Sequence, residues 1–397
     1  MELLNIFSPQ LVNQCINGRT IDRRENEFRG IISKGKNNYF IINELSSSGY
    51  TKSFSAIQIS LSKKNKVESV SNDALTIKYV SKKYIQDTIF KDLQITEERV
   101  EKYYDSLKKN FVKYQTLEHP NLQKLYDFIE DEDGLYFILE FCEYTLNDFA
   151  EMTREPMKNS KYPIELKFRK IITDILICLQ FIHNEGLCLC ALINPNEIYI
   201  KETSRGIQNK SAFQVKLPHP FLAHLFTLLA LKSKGESFPS YFAPEIYKSF
   251  AEKTKKGSKD SFDGLITMLN ELDQNFDTWA LGFLVYNIIY NDEPFKFESI
   301  EDANSKFNQG LEFTYDIYPW KVSYHFLKII SDCMKLDPKK RMQSIDFERI
   351  TKDISSKIED DDILEKELKE RIDRMSKDKD PVPFNLIEDL QAENYIK

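Results

Sequence analysis

Between Asp174 and Asp260 the chain has no aspartate, and residues 203–235 hold no carboxylate of either kind. A site that needs paired carboxylates, or a hard divalent cation held on oxygen ligands, cannot be drawn from that stretch. Long apolar runs are missing too. None approaches the roughly 20 residues that cross a bilayer, so no membrane partner is expected. Met1-Glu2 is followed by neither a cationic region nor an apolar core, so no secretory signal is expected. Basic residues are not in excess: 55 Lys and Arg stand against 62 Asp and Glu, a formal net charge of −7. That excludes a broad basic footprint for nucleic acid or for an anionic membrane. Cysteines are few, at 15, 142, 178, 188, 190 and 333, mostly among apolar neighbours. They are expected to be reduced and buried, in an intracellular, cytoplasmic protein. Cys188-Leu189-Cys190 lacks the two-residue gap of a zinc knuckle, and no metal site is expected.

What is present has a clear order. Residues 1–37 are a polar extension with one apolar stretch, Leu3 to Ile6. Strands are expected at Tyr39 to Ile42, at Phe54 to Ile59 with alternating polarity, and at Ala74 to Val80, with a polar loop over 61–73. Residues 82–116 leave room for an extra helical piece before a longer helix. From about 143 the pattern is mainly helical. A polar run from Lys253 to Asp260 precedes an apolar-periodic stretch, Phe262 to Leu272. In the charged tail Leu364, Leu368, Ile372 and Met375 recur at helical spacing, either to pack back on the domain or to dock a partner.

Six motifs stand in order: His119-Pro120-Asn121-Leu122, Leu135 to Phe141, Leu179 to Gly186, Ala243-Pro244-Glu245, Asp277 to Gly282 with Pro294-Phe295, and Asp337 to Arg341. In this order and spacing the chain resembles a protein kinase of the eukaryotic Ser/Thr type, over about residues 38–352. The resemblance implies an α+β, two-lobed kinase-like fold: a small antiparallel β lobe (about 38–141) and a large, mainly helical lobe (about 142–352). An insertion is expected at about 250–275, and a charged helical tail at 353–397. Leu139 falls at the gatekeeper position. Glu245 and Arg341 match the ion pair that ties the activation segment to the large lobe. Asp277 matches the aspartate that caps the catalytic-loop backbone.

The chemistry of the family is absent at the matching positions. Phosphoryl transfer requires a proton-accepting aspartate, a metal-binding aspartate, a strand lysine paired to a helix glutamate, and a glycine-rich loop. Ala191 stands at the proton-acceptor position, and a methyl group cannot accept a proton. Leu189, Cys190 and Ile193 replace the histidine, arginine and lysine around it. His219, with Pro220 and Phe221, occupies the metal-binding triplet, and Pro218 and Pro220 stiffen its backbone. Lys78 matches the phosphate-binding lysine. Counting back from Pro120 puts its helix partner at Asn110, with Ser106, Leu107, Lys113 and Tyr114 one turn away, so Lys78 is expected to lack a partner. Ser46, Ser48 and Thr51 take the three glycine positions of the phosphate loop. Asn196 matches a metal-ligating asparagine, and equally suits a loop asparagine bonded to its own backbone. Lys78 and Asn196 therefore form at most a vestigial nucleotide site.

Phe221 to Leu231 is strongly apolar where a substrate-docking loop is normally polar. It is expected to be a short buried helix plugging the cleft, or else a partner face. The resulting expectation is a pseudokinase: no catalytic residues, no cofactor beyond weak or absent ATP binding, and a scaffold or allosteric role toward protein partners. The alternatives are an ATP-binding switch, an atypical kinase drawing carboxylates from Asp260, Asp263 or Asp360 to Asp362, and a structural component of a large intracellular assembly.

Overall fold

The computed structural model describes residues 30–47, 50–63, 67–91, 95–157, 165–203, 212–232, 239–253, 261–311 and 324–356. The tail stripe at 364–375, Ser48, Gly49 and Asp260 lie outside the described residues.

A six-stranded antiparallel sheet forms the small lobe. Its strands are β1 (Ile31–Lys34), β2 (Asn37–Ser47), β3 (Lys52–Leu61), β4 (Val67–Ser81), β5 (Leu125–Glu130) and β6 (Gly134–Glu140), in spatial order β1-β2-β3-β4-β6-β5. β3 buries Phe54 and Ala56 on one face and Ile57 and Ile59 on the other, so both faces of the strand are covered there. Every residue of β6 is buried, because it lies between β4 and β5 with both faces covered.

Two expectations are corrected. The polar extension does not reach residue 37, since Ile31–Lys34 pairs antiparallel with β2. Nor is the whole of 61–73 a loop: β4 begins at Val67 and pairs with β3 from Leu61↔Val67 onward. Ladder hydrogen bonds outweigh the weak strand preference of Glu, Ser, Asn and Asp there.

The expected extra helical piece is Lys82–Ile85, followed by a π-helical turn at Gln86–Phe90. The longer helix is Glu97–Tyr114. Glu97 and Glu98 in its first turn complement the helix dipole, and Tyr104, Leu107 and Phe111 form its buried stripe.

The large lobe is helical around a three-stranded sheet of β7 (Tyr144–Thr145), β8 (Tyr199–Thr203) and β9 (Ala212–Lys216). Its centre is the helix Gln274–Tyr290, capped by the Asp273 side chain and buried at eleven of its residues. Gly282 allows a close approach to the helix Tyr324–Cys333: a Cβ there would sit 2.7 Å from Cys333 Cβ. The apolar stretch of the insertion forms the helix Ser261–Asn270, which buries Met268 and Leu269.

The lobes are stitched at the His119 motif. Gln123 N–H donates to Leu217 O and Leu217 N–H to Asn121 O, both at 2.7 Å. Glu245 and Arg341 form the expected pair: Arg341 reaches both carboxylate oxygens, one at 2.8 Å, with its guanidinium 5.0 Å from the Trp279 ring centre. Arg341 is buried, so Arg341→Ala should strand the Glu245 carboxylate and cost about 3 kcal/mol in urea denaturation. A loss below about 1 kcal/mol would show that the pair does not hold the lobe.

Candidate functional site

Lys78 lies on β4, across from Ser53 on β3 and Phe137 on β6. It is 3% exposed, and its ammonium is not alone. It donates to the Glu197 carboxylate and, at 3.0 Å, to the Tyr199 hydroxyl. The Phe226 ring centre lies 5.0 Å away and that of Tyr199 5.6 Å away. The expected lack of a partner is thus corrected. The partner comes from the large lobe, 119 residues on, instead of from the helix Glu97–Tyr114. Burial works against the Lys78 ammonium, but Glu197 and Tyr199 outweigh it and hold its pKa above the ordinary lysine value. Burial also pushes the Tyr199 phenol up to about 12.

Asn110, expected at the position of the helix partner, is exposed, and the inward stripe of that helix is apolar and aromatic. Of the positions one turn away, Leu107 lies in that stripe, and it too is not acidic. Asn196 is also exposed. The loop asparagine that organises the turn is Asn194 instead: its amide donates to Ala191 O at 2.7 Å, and its carbonyl accepts from Asn196 N–H at 3.0 Å. Lys78 and Glu197 are brought together, whereas no contact links Asn196 to Lys78 among the hydrogen bonds and ion pairs of the described residues. Thr51, at the third loop glycine position, is buried.

Ala191 is buried in a 3-10 turn, Cys190–Leu192. Its N–H donates to the Thr227 hydroxyl at 3.3 Å. Thr227 belongs to the helix Ala223–Leu231, which is buried at every residue except His224. A helix that is apolar on all sides can only be a core helix. Phe221, just before it, packs its ring 5.2 Å from Phe128 and 5.8 Å from both Phe111 and Phe137. Phe226 lies 6.2 Å from Tyr50 and 6.3 Å from Phe137. The apolar run is thus buried between lobes, as one of the two expectations for it had it.

His219 is fully buried, and its Nδ1 accepts from Phe221 N–H at 3.2 Å, capping the turn Pro220–Leu222. Its Nε2 faces the Tyr114 backbone without a hydrogen bond of normal geometry. Burial pushes its pKa down to about 4, against a smaller opposing effect of the Tyr114 backbone.

Under the Ala191 turn, Asp277 is fully buried. It accepts from Leu189 N–H at 2.8 Å, from Cys190 N–H at 2.6 Å, and lies 3.0 Å from His183 Nε2. Cys188, Cys190 and Asp277 place ligand atoms within 4.8 Å of one another. Both Asp277 oxygens are already filled by these donors, so a metal there would have to break the loop clamp. Burial raises the Cys190 thiol pKa well above its ordinary value, which opposes the thiolate that a metal needs.

Glu197 is the residue that motif reading passed over. Its one signal was negative: it is the first acidic residue after Glu185 in a stretch otherwise without carboxylates. Because Lys78 is buried and Glu197 partly so, Lys78→Met and Glu197→Gln should each cost about 2 kcal/mol in urea denaturation. The double variant should cost clearly less than their sum, by at least about 1 kcal/mol; strict additivity would remove the pair.

His219 also sets a pH window. Its folded pKa lies below the unfolded value, so the stability it confers is complete above about pH 6.5 and is lost as pH falls toward 4. His219→Asn keeps the cap and removes the titration. Relative to wild type it should gain roughly 3 kcal/mol between pH 7.5 and 4 in urea titrations, and an unchanged difference would refute the assignment.

The family model described as "Protein kinase domain" matches residues 72–352, most of the chain. Calcium-dependent protein kinase 5 of Plasmodium falciparum is 26% identical over 277 residues, covering 70% of this chain and 42% of that protein. Serine/threonine-protein kinase polo of Drosophila melanogaster is 24% identical over 199 residues, covering 49% of this chain and 27% of that protein. The chain spans about two fifths of the length of the Plasmodium relatives it matches. A crystal structure of Rad53 1-466 in complex with AMP-PNP is similar at a TM-score of 0.48 and 19% identity, covering 78% of this chain and 63% of that one. With the motif order, the two-lobed α+β fold and the family match over most of its length in agreement, this chain belongs to the protein kinase family.

Proposed function

We propose that this domain is a pseudokinase: a kinase-family fold without phosphoryl transfer, acting as a scaffold or allosteric partner for other proteins in the cytoplasm. One observation carries the reading. The Lys78 ammonium is committed to Glu197 and covered by Phe226, while Thr227 of the same helix seals Ala191. A nucleotide triphosphate reaching Lys78 would have to displace the partly buried Glu197 carboxylate and an apolar helix. Its phosphates would meet no metal-binding carboxylate at His219 and no proton acceptor at Ala191. Losing one such group costs several kcal/mol of transition-state stabilisation, and here both are missing. Among the described residues no helix is long and apolar enough to cross a membrane.

A second reading, residual transfer by an atypical site, rests on the relatives' names, which are those of kinases. In that case carboxylates from outside the cleft would have to reach it.

Thermal unfolding with millimolar ATP, with magnesium or manganese or with EDTA, separates the two readings. A ligand bound only to the folded state must raise the midpoint by an amount set by its concentration over its Kd. We expect a shift below about 1 °C and no transfer to a broad protein mixture, with Ala191→Asp equally inert. A saturable, metal-dependent shift that Lys78→Ala abolishes would overturn the proposal.

A further inference from the structure

Two thiols lie beside the Ala191 turn, outside the Lys78 cluster. The sulfurs of Cys188 and Cys190 are 3.5 Å apart, with Cys190 donating to Cys188. Cys188 in turn donates to Leu272 O at 3.7 Å. The backbone makes this contact. In an extended strand, residues two apart are separated by roughly 6.6 Å, at the far end of what a disulfide spans. Here Leu189 is folded back, at φ −105° and ψ −30°, and Cys190 is left-handed, at φ 48°. The chain therefore bends between the two sulfurs, and Asp277 holds the bend through the N–H groups of Leu189 and Cys190. Among the described cysteines, these two are the pair in sulfur–sulfur contact.

Access to the pair is unequal. Cys188 keeps 8% exposure, two residues beyond the exposed turn 184–186, whereas Cys190 keeps 1%. Burial also keeps the Cys190 thiol protonated. A small oxidant arriving from the turn thus meets Cys188 first, with Cys190 waiting behind it as a second sulfur.

We propose that Cys188 and Cys190 are a redox modification site, oxidised by hydrogen peroxide to a reversible disulfide within the chain. In the first step the Cys188 sulfur attacks a peroxide oxygen and the O–O bond breaks, giving a Cys188 sulfenic acid and water. In the second step the Cys190 sulfur attacks the Cys188 sulfur. The S–S bond forms, the S–O bond breaks, and the departing hydroxide takes the Cys190 proton and leaves as water. The two thiols lose two electrons and two hydrogens, and the peroxide becomes two waters. With its proton gone, Cys188 no longer donates to Leu272 O, next to the Asp273 cap of the helix Gln274–Tyr290. Oxidation thereby loosens the joint between the end of the insertion and the Asp277 turn. The proposal holds whether or not the domain transfers phosphate.

The test is treatment of the full chain with hydrogen peroxide, then alkylation of free thiols with N-ethylmaleimide, digestion without reduction, and mass spectrometry. Trypsin leaves Cys178, Cys188 and Cys190 on one peptide, 171–201. Fragmentation should place the bond between 188 and 190, with Cys178 alkylated. We expect this pair to be lost at least tenfold faster than the buried Cys333 thiol, and to return with dithiothreitol. Cys190→Ser removes the second sulfur, so dimedone should trap a Cys188 sulfenic acid at least fivefold above wild type. If that variant does not fold, the wild-type map decides alone. Amide exchange over 271–274 should rise at least threefold in the oxidised chain. A bond to Cys15, a bond between chains, a sulfinic or sulfonic acid in place of the disulfide, or loss no faster than that of Cys333 would each overturn the proposal. Unchanged exchange over 271–274 would overturn the loosened joint.

Discussion

The buried carboxylate of Asp277 is the constraint on which the middle of the molecule depends. It has no solvent to fall back on, so each oxygen must find donors, and it finds them on Leu189 and Cys190. That clamp holds Cys190 in the left-handed region, at φ 48°, which costs an ordinary residue about 1 kcal/mol or more. With Cys190 fixed, the turn passes through Asn194 and delivers Glu197 to Lys78. A contact deep in the large lobe thereby sets the position of a charge on a small-lobe strand.

The apolar helix Ala223–Leu231 works from the other side. It excludes water from the same space, and this makes every polar contact there count for more. A buried ammonium without a partner would be untenable, so Glu197 and Tyr199 are requirements of the packing rather than additions to it. The two effects reinforce each other. The helix covers the Lys78 ammonium with Phe226, and the cluster neutralises that charge.

The small lobe shows a different economy. Its sheet curls almost shut, and Asp127 ties β5 back to β1 and β2 through Lys34 and Tyr39. The curl stops short of a closed barrel, and the remaining gap is lined by apolar side chains such as Ile31 and Ile129 together with charged ones such as Lys34, Lys108 and Asp131. Helix and sheet are therefore both satisfied, while their junction is not.

Much of this was legible in the chain. Glu245, Asp277 and Arg341 could be placed because their motifs occur in a fixed order, and 221–231 could be narrowed to burial or a partner face because a strongly apolar run must be covered. The missing carboxylates around Ala191 and His219 are a matter of composition, and folding cannot add a group that the stretch does not contain. The motif placed Lys78 at the phosphate-binding position, but told neither that it would be buried nor that Glu197 would meet it. Partners 119 residues apart leave no local pattern, since spacing reports only neighbours on one element. Asn110 shows the same limit: a count along the chain gave a window of helical positions, and only packing decides that Leu107 turns inward and Asn110 outward. The start of β4 at Val67 and the strand Ile31–Lys34 were likewise decided by ladder partners supplied from elsewhere. The sequence by itself thus determined which chemical groups are present, the family and the lobes. The tertiary structure decided which groups meet, because burial makes each polar group find whatever partner the fold brings within reach.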